Sequence, residues 1–176
     1  ISNLEIDCNG ITFNTSDGVL IRRISSTGTT LVIRNCYASG TFIVGQSSGI
    51  VGPVFKENYN ITISNCYSTG TLSNNNSGGI LGAIAKIDET GYVLVENCYS
   101  TGAISGSGSG GIVGSQFGNF IGLSGTAIVR NCYSTGDIGE NCGGIVGSNF
   151  GYNAGYATIE NCYSVGSLGN GGAIAG

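Results

Sequence analysis

The alternation of apolar and polar residues along this chain is typical of short β-strands. Five segments alternate in this way: TLVIR, NITIS, YVLVE, TAIVR and YATIE. Successive side chains of a strand point to opposite faces, so one face of each segment is predicted to be buried. Its fourth position is always Ile or Val and is predicted to point inward: Ile33, Ile63, Val95, Val129 and Ile159. No segment has the 3.6-residue period of an amphipathic helix.

The strand segments belong to a repeat. Each is followed by the triplet Asn-Cys-Tyr, which begins at residues 35, 65, 97, 131 and 161. A second signature runs in phase with it, as SGIVG at 48–52, GGILG at 78–82, GGIVG at 110–114 and 143–147, and GGAIAG at 171–176. A repeat of about 30 residues built from short extended pieces predicts one coil of a parallel β-helix.

The predicted fold is therefore all-β, a parallel β-helix or β-solenoid that forms a single domain over residues 1–176. We expect about six coils of about 28–34 residues, the first degenerate and the last incomplete. The predicted coils start near residues 8, 36, 66, 98, 132 and 162. A right-handed coil is expected, because parallel crossover connections are almost always right-handed.

The triplet is predicted to form a corner of the coil. Counting forward from Ile33 places Cys36 outside, whereas counting back from the apolar residue Phe42 places it inside. Asn adopts left-handed backbone conformations more readily than other non-glycine residues, so it can absorb this slip. Side-chain amides at the corner could then hydrogen-bond from coil to coil. The predicted corner residues are Asn35, Asn65, Asn97, Asn131 and Asn161.

Beyond the corner, the cysteines are predicted to form an inward stack of Cys36, Cys66, Cys98, Cys132 and Cys162, with Cys8 at its start. They can act as small free hydrophobes. Alternatively, neighbouring coils could be joined by disulfides, which the expected Cα spacing of about 4.8 Å permits but parallel side chains do not favour. Cys142 lies outside the pattern. No CxxC pair and no His is present, so no metal site is predicted.

The tyrosines of the triplet are predicted to form an outward column of Tyr37, Tyr67, Tyr99, Tyr133 and Tyr163. Two interpretations stay open. Stacked rings stabilise neighbouring strands. An exposed aromatic row is also a means of binding sugars or partner surfaces, so the column is a candidate binding face.

Composition excludes several classes of function. The six Lys and Arg residues and the net charge of −4 give no basic patch for nucleic acid. No apolar run reaches the roughly 18–20 residues of a membrane span. No His is present, and the ten acidic residues are scattered as solvated groups, among them Asp88–Glu89, Asp137 and Glu140, and Glu57 beside Lys56. We therefore predict no catalytic residues, no cofactor and no enzymatic activity.

The pairing of NCYSTG with GGIVG, repeated in phase, resembles the GLUG-motif repeats. Such repeats occur in large secreted and surface proteins of microbes, including adhesin-like proteins. The resemblance covers about residues 30–176 and implies an extracellular or cell-surface β-solenoid that serves as a stalk or scaffold. The chain departs from the commoner form by having Ile in place of Leu at residues 50, 80, 112 and 145.

Two surface features suggest further chemistry. Asn-X-Ser/Thr sequons predict N-glycosylation, in a secreted eukaryotic context, at Asn14, Asn60 and Asn75. Outward pairs of hydroxyl residues resemble the flat face of ice-binding solenoids, although the match declines after the second pair: Ser39 with Thr41, and Thr69 with Thr71.

The two ends of the chain predict continuation of the solenoid. GGAIAG ends just after a second signature, and ISNLEIDCNG begins as a strand that leads to a first one. Our leading hypothesis is a structural repeat protein that forms a fibre or surface stalk, by head-to-tail self-association or through neighbouring repeats of a longer chain. The alternative is an adhesin-type module that binds glycans through the tyrosine column and the loops at 55–61, 85–92, 117–127 and 150–157. Ice binding is a minor alternative.

Overall fold

A computed structural model describes residues 1–7, 18–39, 48–55, 58–84, 87–88, 91–121, 124–152 and 156–176. This part of the chain contains no helix and twelve strands. The strands are β1 Ser2–Asp7, β2 Thr30–Ser39, β3 Asn60–Ser64, β4 Tyr67–Ser68, β5 Ile87–Asp88, β6 Tyr92–Glu96, β7 Tyr99–Ser100, β8 Phe120–Ile121, β9 Thr126–Arg130, β10 Tyr133–Ser134, β11 Tyr156–Glu160 and β12 Tyr163–Ser164. The predicted all-β class is confirmed.

Every strand pairing in the described residues is parallel, and equivalent residues of successive coils lie opposite one another. The inward positions of the longer strands pair in one column, Ile33, Ile63, Val95, Val129 and Ile159, of which the first four are buried and Ile159 is half-buried. Three of the longer strands, β3, β6 and β9, thereby stack on β2 without any offset. The fold is a parallel β-solenoid, as predicted.

The other walls of each coil consist of single β-bridges. One column of bridges joins Leu72, Ile104, Ile138 and Leu168. A second runs through the GGIVG signatures as Ile21, Val51, Leu81, Val113, Val146 and Ala175. Side chains of all these walls fill the lumen, and burying an Ile or Val side chain fully contributes roughly 1.5–3 kcal/mol. The solenoid core is therefore one continuous and mainly aliphatic cluster, to which Tyr59, Phe117 and the buried cysteines also belong.

The number of coils and the position of the first coil differ from the prediction. The structure has about four complete turns, between the corners at Asn35 and Asn161, with partial coils at both ends. In the first of these, Leu4 pairs with Cys36, so the corner residue is Asn3. Asn3 has the same left-handed φ as the other corners, 57°. The stack therefore continues through Leu4, while Cys8 lies outside the described residues.

Asparagine forms the corner of every coil. The five predicted corner residues have φ angles of 50–54°, in the left-handed region that few non-glycine residues adopt. Four of these asparagines donate their side-chain amide to the amide oxygen of the corner asparagine in the preceding coil, over 3.0–3.3 Å. The first of these bonds runs from Asn35 to Asn3. Asn thus supplies both the backbone bend and a hydrogen bond along the axis.

The two signatures recur together because they contact each other across the lumen. In three coils the serine that follows the tyrosine is buried, at Ser68, Ser100 and Ser134. A Cβ added to Gly79 or Gly111 would overlap both that serine and a backbone carbonyl of the next coil. The Ser of NCYS and the second position of GGIVG therefore fit only as a pair.

Replacing Asn97 tests the corner. Asn97→Gly and Asn97→Ala both lose the hydrogen bond from Asn131, but only glycine adopts a φ of 53° without strain. We expect the alanine variant to be less stable than the glycine variant by about 1–2 kcal/mol in urea-induced unfolding. Equal stability of the two variants would contradict the backbone role.

Replacing Ser134 tests the lumen contact. Its hydroxyl is buried and has no hydrogen-bond partner among the described residues, and Ala38 takes the same place in an earlier coil. Burial of an unsatisfied polar group costs about 1–3 kcal/mol, so Ser134→Ala should leave the free energy of unfolding unchanged or raise it. The control, Gly111→Ala, should lower it by about 1–3 kcal/mol because its Cβ overlaps the next coil. A clear loss of stability in Ser134→Ala would show that the Ser134 hydroxyl is not an unsatisfied buried group.

Candidate functional site

The corner brings three columns of side chains together: asparagine and tyrosine outside, and cysteine inside. Cys36, Cys66, Cys98 and Cys132 are buried, whereas Cys162 on the last coil is half-buried. All of them are free thiols, as is Cys142. In the described residues no disulfide joins the coils, and no group of three or more Cys, Asp or Glu side chains is arranged to hold a metal ion.

The thiols do more than fill space. Each sulfur of the column lies 3.2–3.3 Å from the carbonyl oxygen two residues earlier and donates its proton there, as Cys66 does to Ser64. Three of the same sulfurs also accept a backbone N–H from the preceding coil at 3.4 Å, as Cys66 does from Cys36. The left-handed corner turns these backbone groups away from the regular ladder, and the thiol satisfies them. Sequence reasoning missed this role because nothing in the pattern distinguishes a bonded thiol from a small hydrophobe.

The environment of the thiols shifts their pKa values in both directions. Burial raises the pKa of Cys142 and of Cys36. Contacts with the thiols of Cys132 and Cys66, together with burial, raise the pKa of Cys98 well above its ordinary value. Hydrogen bonds with neighbouring thiols lower the pKa of Cys66 and of Cys132. The thiolate is the nucleophilic form of cysteine, but both of these sulfurs are fully buried, out of reach of a reagent in solution.

The tyrosine rings form a continuous stack outside the corner. Four successive pairs have ring centroids 4.0, 4.7, 5.0 and 5.2 Å apart, from Tyr37 to Tyr163. The three later pairs are nearly parallel, at 3–6°, whereas Tyr37 and Tyr67 are inclined by 25°. Burial raises the pKa of Tyr67 and of Tyr99, and the neighbouring phenols raise it further.

This stacking limits how the column can bind a sugar. Aromatic side chains hold sugars through the faces of their rings, and here each inner ring has both faces covered by its neighbours. For these inner rings, only the ring edges and the hydroxyl groups meet solvent. Glycan binding by the tyrosine column stays a prediction, and it would require contacts with these hydroxyl groups and the adjacent asparagines.

Hydroxyl residues form the next outward column. Thr69, Thr101 and Thr135 are exposed, one above the other, between Ser39 and Val165. Thr41, which the ice-binding comparison needs, lies outside the described residues, and Val165 ends the column of hydroxyls. Within the described residues, only one coil carries both threonines of a two-column face, Thr69 and Thr71, because Ala103 and Asp137 replace the second threonine in the next two coils. Ice binding stays a prediction.

Charged side chains make isolated contacts. Arg130 donates to Glu96 on the preceding coil at 2.7 Å. Asp137 accepts the backbone N–H of Ser167 at 3.0 Å, which lowers the pKa of its carboxyl group. Glu140 accepts a hydrogen bond from Asn170 at 3.3 Å. These acids bond along the axis to separate partners and form no paired catalytic carboxylates. Lys56, Glu57 and Glu89 lie outside the described residues.

Two of the three predicted glycosylation sites can be located. Asn60 is exposed at the start of β3, and Asn75 is exposed in a turn. Asn14 lies outside the described residues, as do parts of all four variable loops predicted to bind partners. The described portion of the chain contains no helix with the length and hydropathy needed to cross a membrane.

Comparison of the chain with known protein families, curated proteins and solved structures finds no match in any of the three. The resemblance to GLUG-motif repeats accordingly stays a prediction. The columns described above are therefore the basis for any statement about function.

Alkylation of the native protein tests the protection of the thiols. Contact with Cys132 raises the pKa of Cys162 too, but Cys162 alone in the column is only half-buried. Peptide mapping after iodoacetamide treatment should find Cys162 modified first, with Cys98, Cys132 and Cys142 modified only after unfolding. Equal rates at Cys98 and Cys162 in the folded state would contradict the buried column.

Proposed function

We propose that this chain is a non-enzymatic structural repeat protein, located outside the cell or at its surface, in which the solenoid continues end to end as a fibre or stalk. The further coils come from neighbouring repeats of a longer chain or from a second copy. The supporting observation is the open last coil, whose inward positions lack the cover that every earlier coil has.

The last coil shows this difference within one column. Ile104 and Ile138 are 1% and 2% exposed, whereas Leu168, the next member, is 55% exposed. In the described residues, β11 and β12 pair only with the preceding coil, so one edge of each carries open backbone groups. Such an edge pairs readily with another strand. A further coil in the same register would bury Leu168 as Ile138 is buried.

The opposite end also exposes apolar side chains. A cavity of about 250 Å³ is lined by the half-buried Ile21 and Leu31 and the buried Ile24, together with Arg23 and three hydroxyl residues. The residues that follow Ile21 and Leu31 in their columns, Val51 and Ile61, are fully buried. Both ends of the described solenoid therefore present apolar surface that stacking would cover.

The low charge of the chain and the exposed sequon residues Asn60 and Asn75 support the extracellular part of the proposal. An adhesin-type binding module is the alternative. It receives less support, because the tyrosine rings that would hold a glycan are stacked on one another.

Charge introduced at the open coil tests continuation by a second copy. Leu168→Lys places an ammonium group where stacking would bury it, whereas the matched control Val165→Lys lies on the outward column and is 66% exposed already. The unmodified chain and the control should form filaments in negative-stain electron microscopy, and Leu168→Lys should not. Cys162 should become resistant to alkylation on assembly.

A second experiment distinguishes stacking of a second copy from continuation through neighbouring repeats of a longer chain. If the chain sediments as a monomer at all concentrations, continuation by a second copy is refuted. Two copies joined in tandem should then unfold at a higher urea concentration than one copy, because each solenoid interface adds stability. Equal stability in that comparison would refute the structural proposal as well.

A further inference from the structure

The tyrosine column has a chemical consequence that does not depend on assembly into a fibre. It places five phenol rings in van der Waals contact on one outward face, with β2, β4, β7, β10 and β12 holding them in register. Phenols held this close are substrates for oxidative coupling, in which two phenoxyl radicals combine. Coupling in free solution is limited by the encounter of two radicals, and the column removes that limit.

We propose that the column is an oxidative cross-linking site, at which a one-electron oxidant, such as a peroxide-activated haem peroxidase, joins tyrosines of neighbouring coils through carbon–carbon bonds. The reaction begins at Tyr37 and Tyr67. It forms a covalent bond between coils of one chain.

The reaction balances as follows. Each of the two phenols loses one electron and one proton and becomes a phenoxyl radical. The radicals join through the ring carbons next to the hydroxyl groups, and the two displaced ring hydrogens move to the phenolic oxygens. The two protons and two electrons released overall reduce one hydrogen peroxide to two waters through the peroxidase. The product is a dityrosine with both hydroxyl groups restored.

Geometry selects the first pair. The new bond lies in the plane of both rings, so two parallel stacked rings must tilt before their ring carbons meet. Tyr37 and Tyr67 are already inclined by 25° and have the shortest separation, 4.0 Å. The pair of Tyr67 and Tyr99 is parallel within 3° at 4.7 Å and requires more movement.

Access also favours tyrosine over cysteine. Tyr37 and Tyr67 are half-buried, so their outer edges meet solvent, into which the phenolic protons can be released. Cys36 and Cys66 point into the lumen and are 2% and 0% exposed. An enzyme that cannot enter the lumen therefore oxidises the phenols before these thiols.

The test is peroxidase and peroxide treatment of the dilute native protein, followed by reduction, alkylation and digestion with trypsin. Tyr37 and Tyr67 fall in different tryptic peptides, 35–56 and 57–86, since cleavage follows Arg34, Lys56 and Lys86. We expect these two peptides to be joined with the loss of two hydrogens, and fragmentation to place the bond on Tyr37 and Tyr67. Reduction is essential, because a disulfide between Cys36 and Cys66 would join the same peptides.

Two variants and one condition serve as controls. Tyr67→Phe should lose the 35–56 to 57–86 link, whereas Tyr152→Phe should retain it, because Tyr152 is 63% exposed and stands outside the column. Oxidation in concentrated urea should also abolish the link, which separates the effect of the fold from that of sequence proximity. Persistence of the link in Tyr67→Phe or in urea would overturn the proposal. So would dityrosine found only between molecules or only at Tyr152 and Tyr156, or no dityrosine at all.

Discussion

The constraint on which the structure depends is parallel stacking in register, which places each residue above its equivalent at a spacing of about 4.8 Å. A residue type is suited to this fold when it interacts favourably with copies of itself. Asn131 does so through its amide, which donates to Asn97, and Tyr133 through its ring, which stacks on Tyr99 and Tyr163. Aliphatic residues meet the same requirement in the lumen.

The unusual composition follows from this constraint. Like charges opposed on neighbouring strands destabilise a sheet, so a repeat stacked on itself excludes columns of one sign. Charged residues make up 9% of the chain, and one outward column alternates as Arg34, Ser64, Glu96, Arg130 and Glu160. Glycine is abundant partly because backbone and serine of adjacent walls approach too closely for a Cβ, as at Gly111.

The same constraint explains why function is difficult to place on individual residues. In ordinary enzymes a few side chains of different types converge on a pocket. Here the described side chains converge on copies of themselves, and the thiols, amides and phenols are occupied by bonding along the axis. The two properties that we propose, continuation at an open coil and coupling between stacked phenols, accordingly belong to columns and not to single residues.

Much of the corner was predictable from sequence because a slip of one residue reverses inside and outside. The conflict between the inward positions before and after the triplet located the bend at Asn35, and the outward column of Tyr37 followed from it. The first coil was placed wrongly, at Cys8. Aligning the coils by their cysteines did not reveal that Asn3 is the corner residue of the first coil and Leu4 its inward apolar residue, because this coil lacks the Asn-Cys-Tyr triplet.

By itself, the sequence determined the all-β class, the length of the coil and the side of the strand on which each column lies, because these depend on local alternation and on repetition. Only the tertiary structure decided what the columns contact. The hydrogen bonds of the Cys66 thiol, the fit of Ser134 against Gly111 and the tilt between Tyr37 and Tyr67 depend on side chains about 30 residues apart in sequence. No local pattern specifies such distances, since they arise when one coil closes on the next.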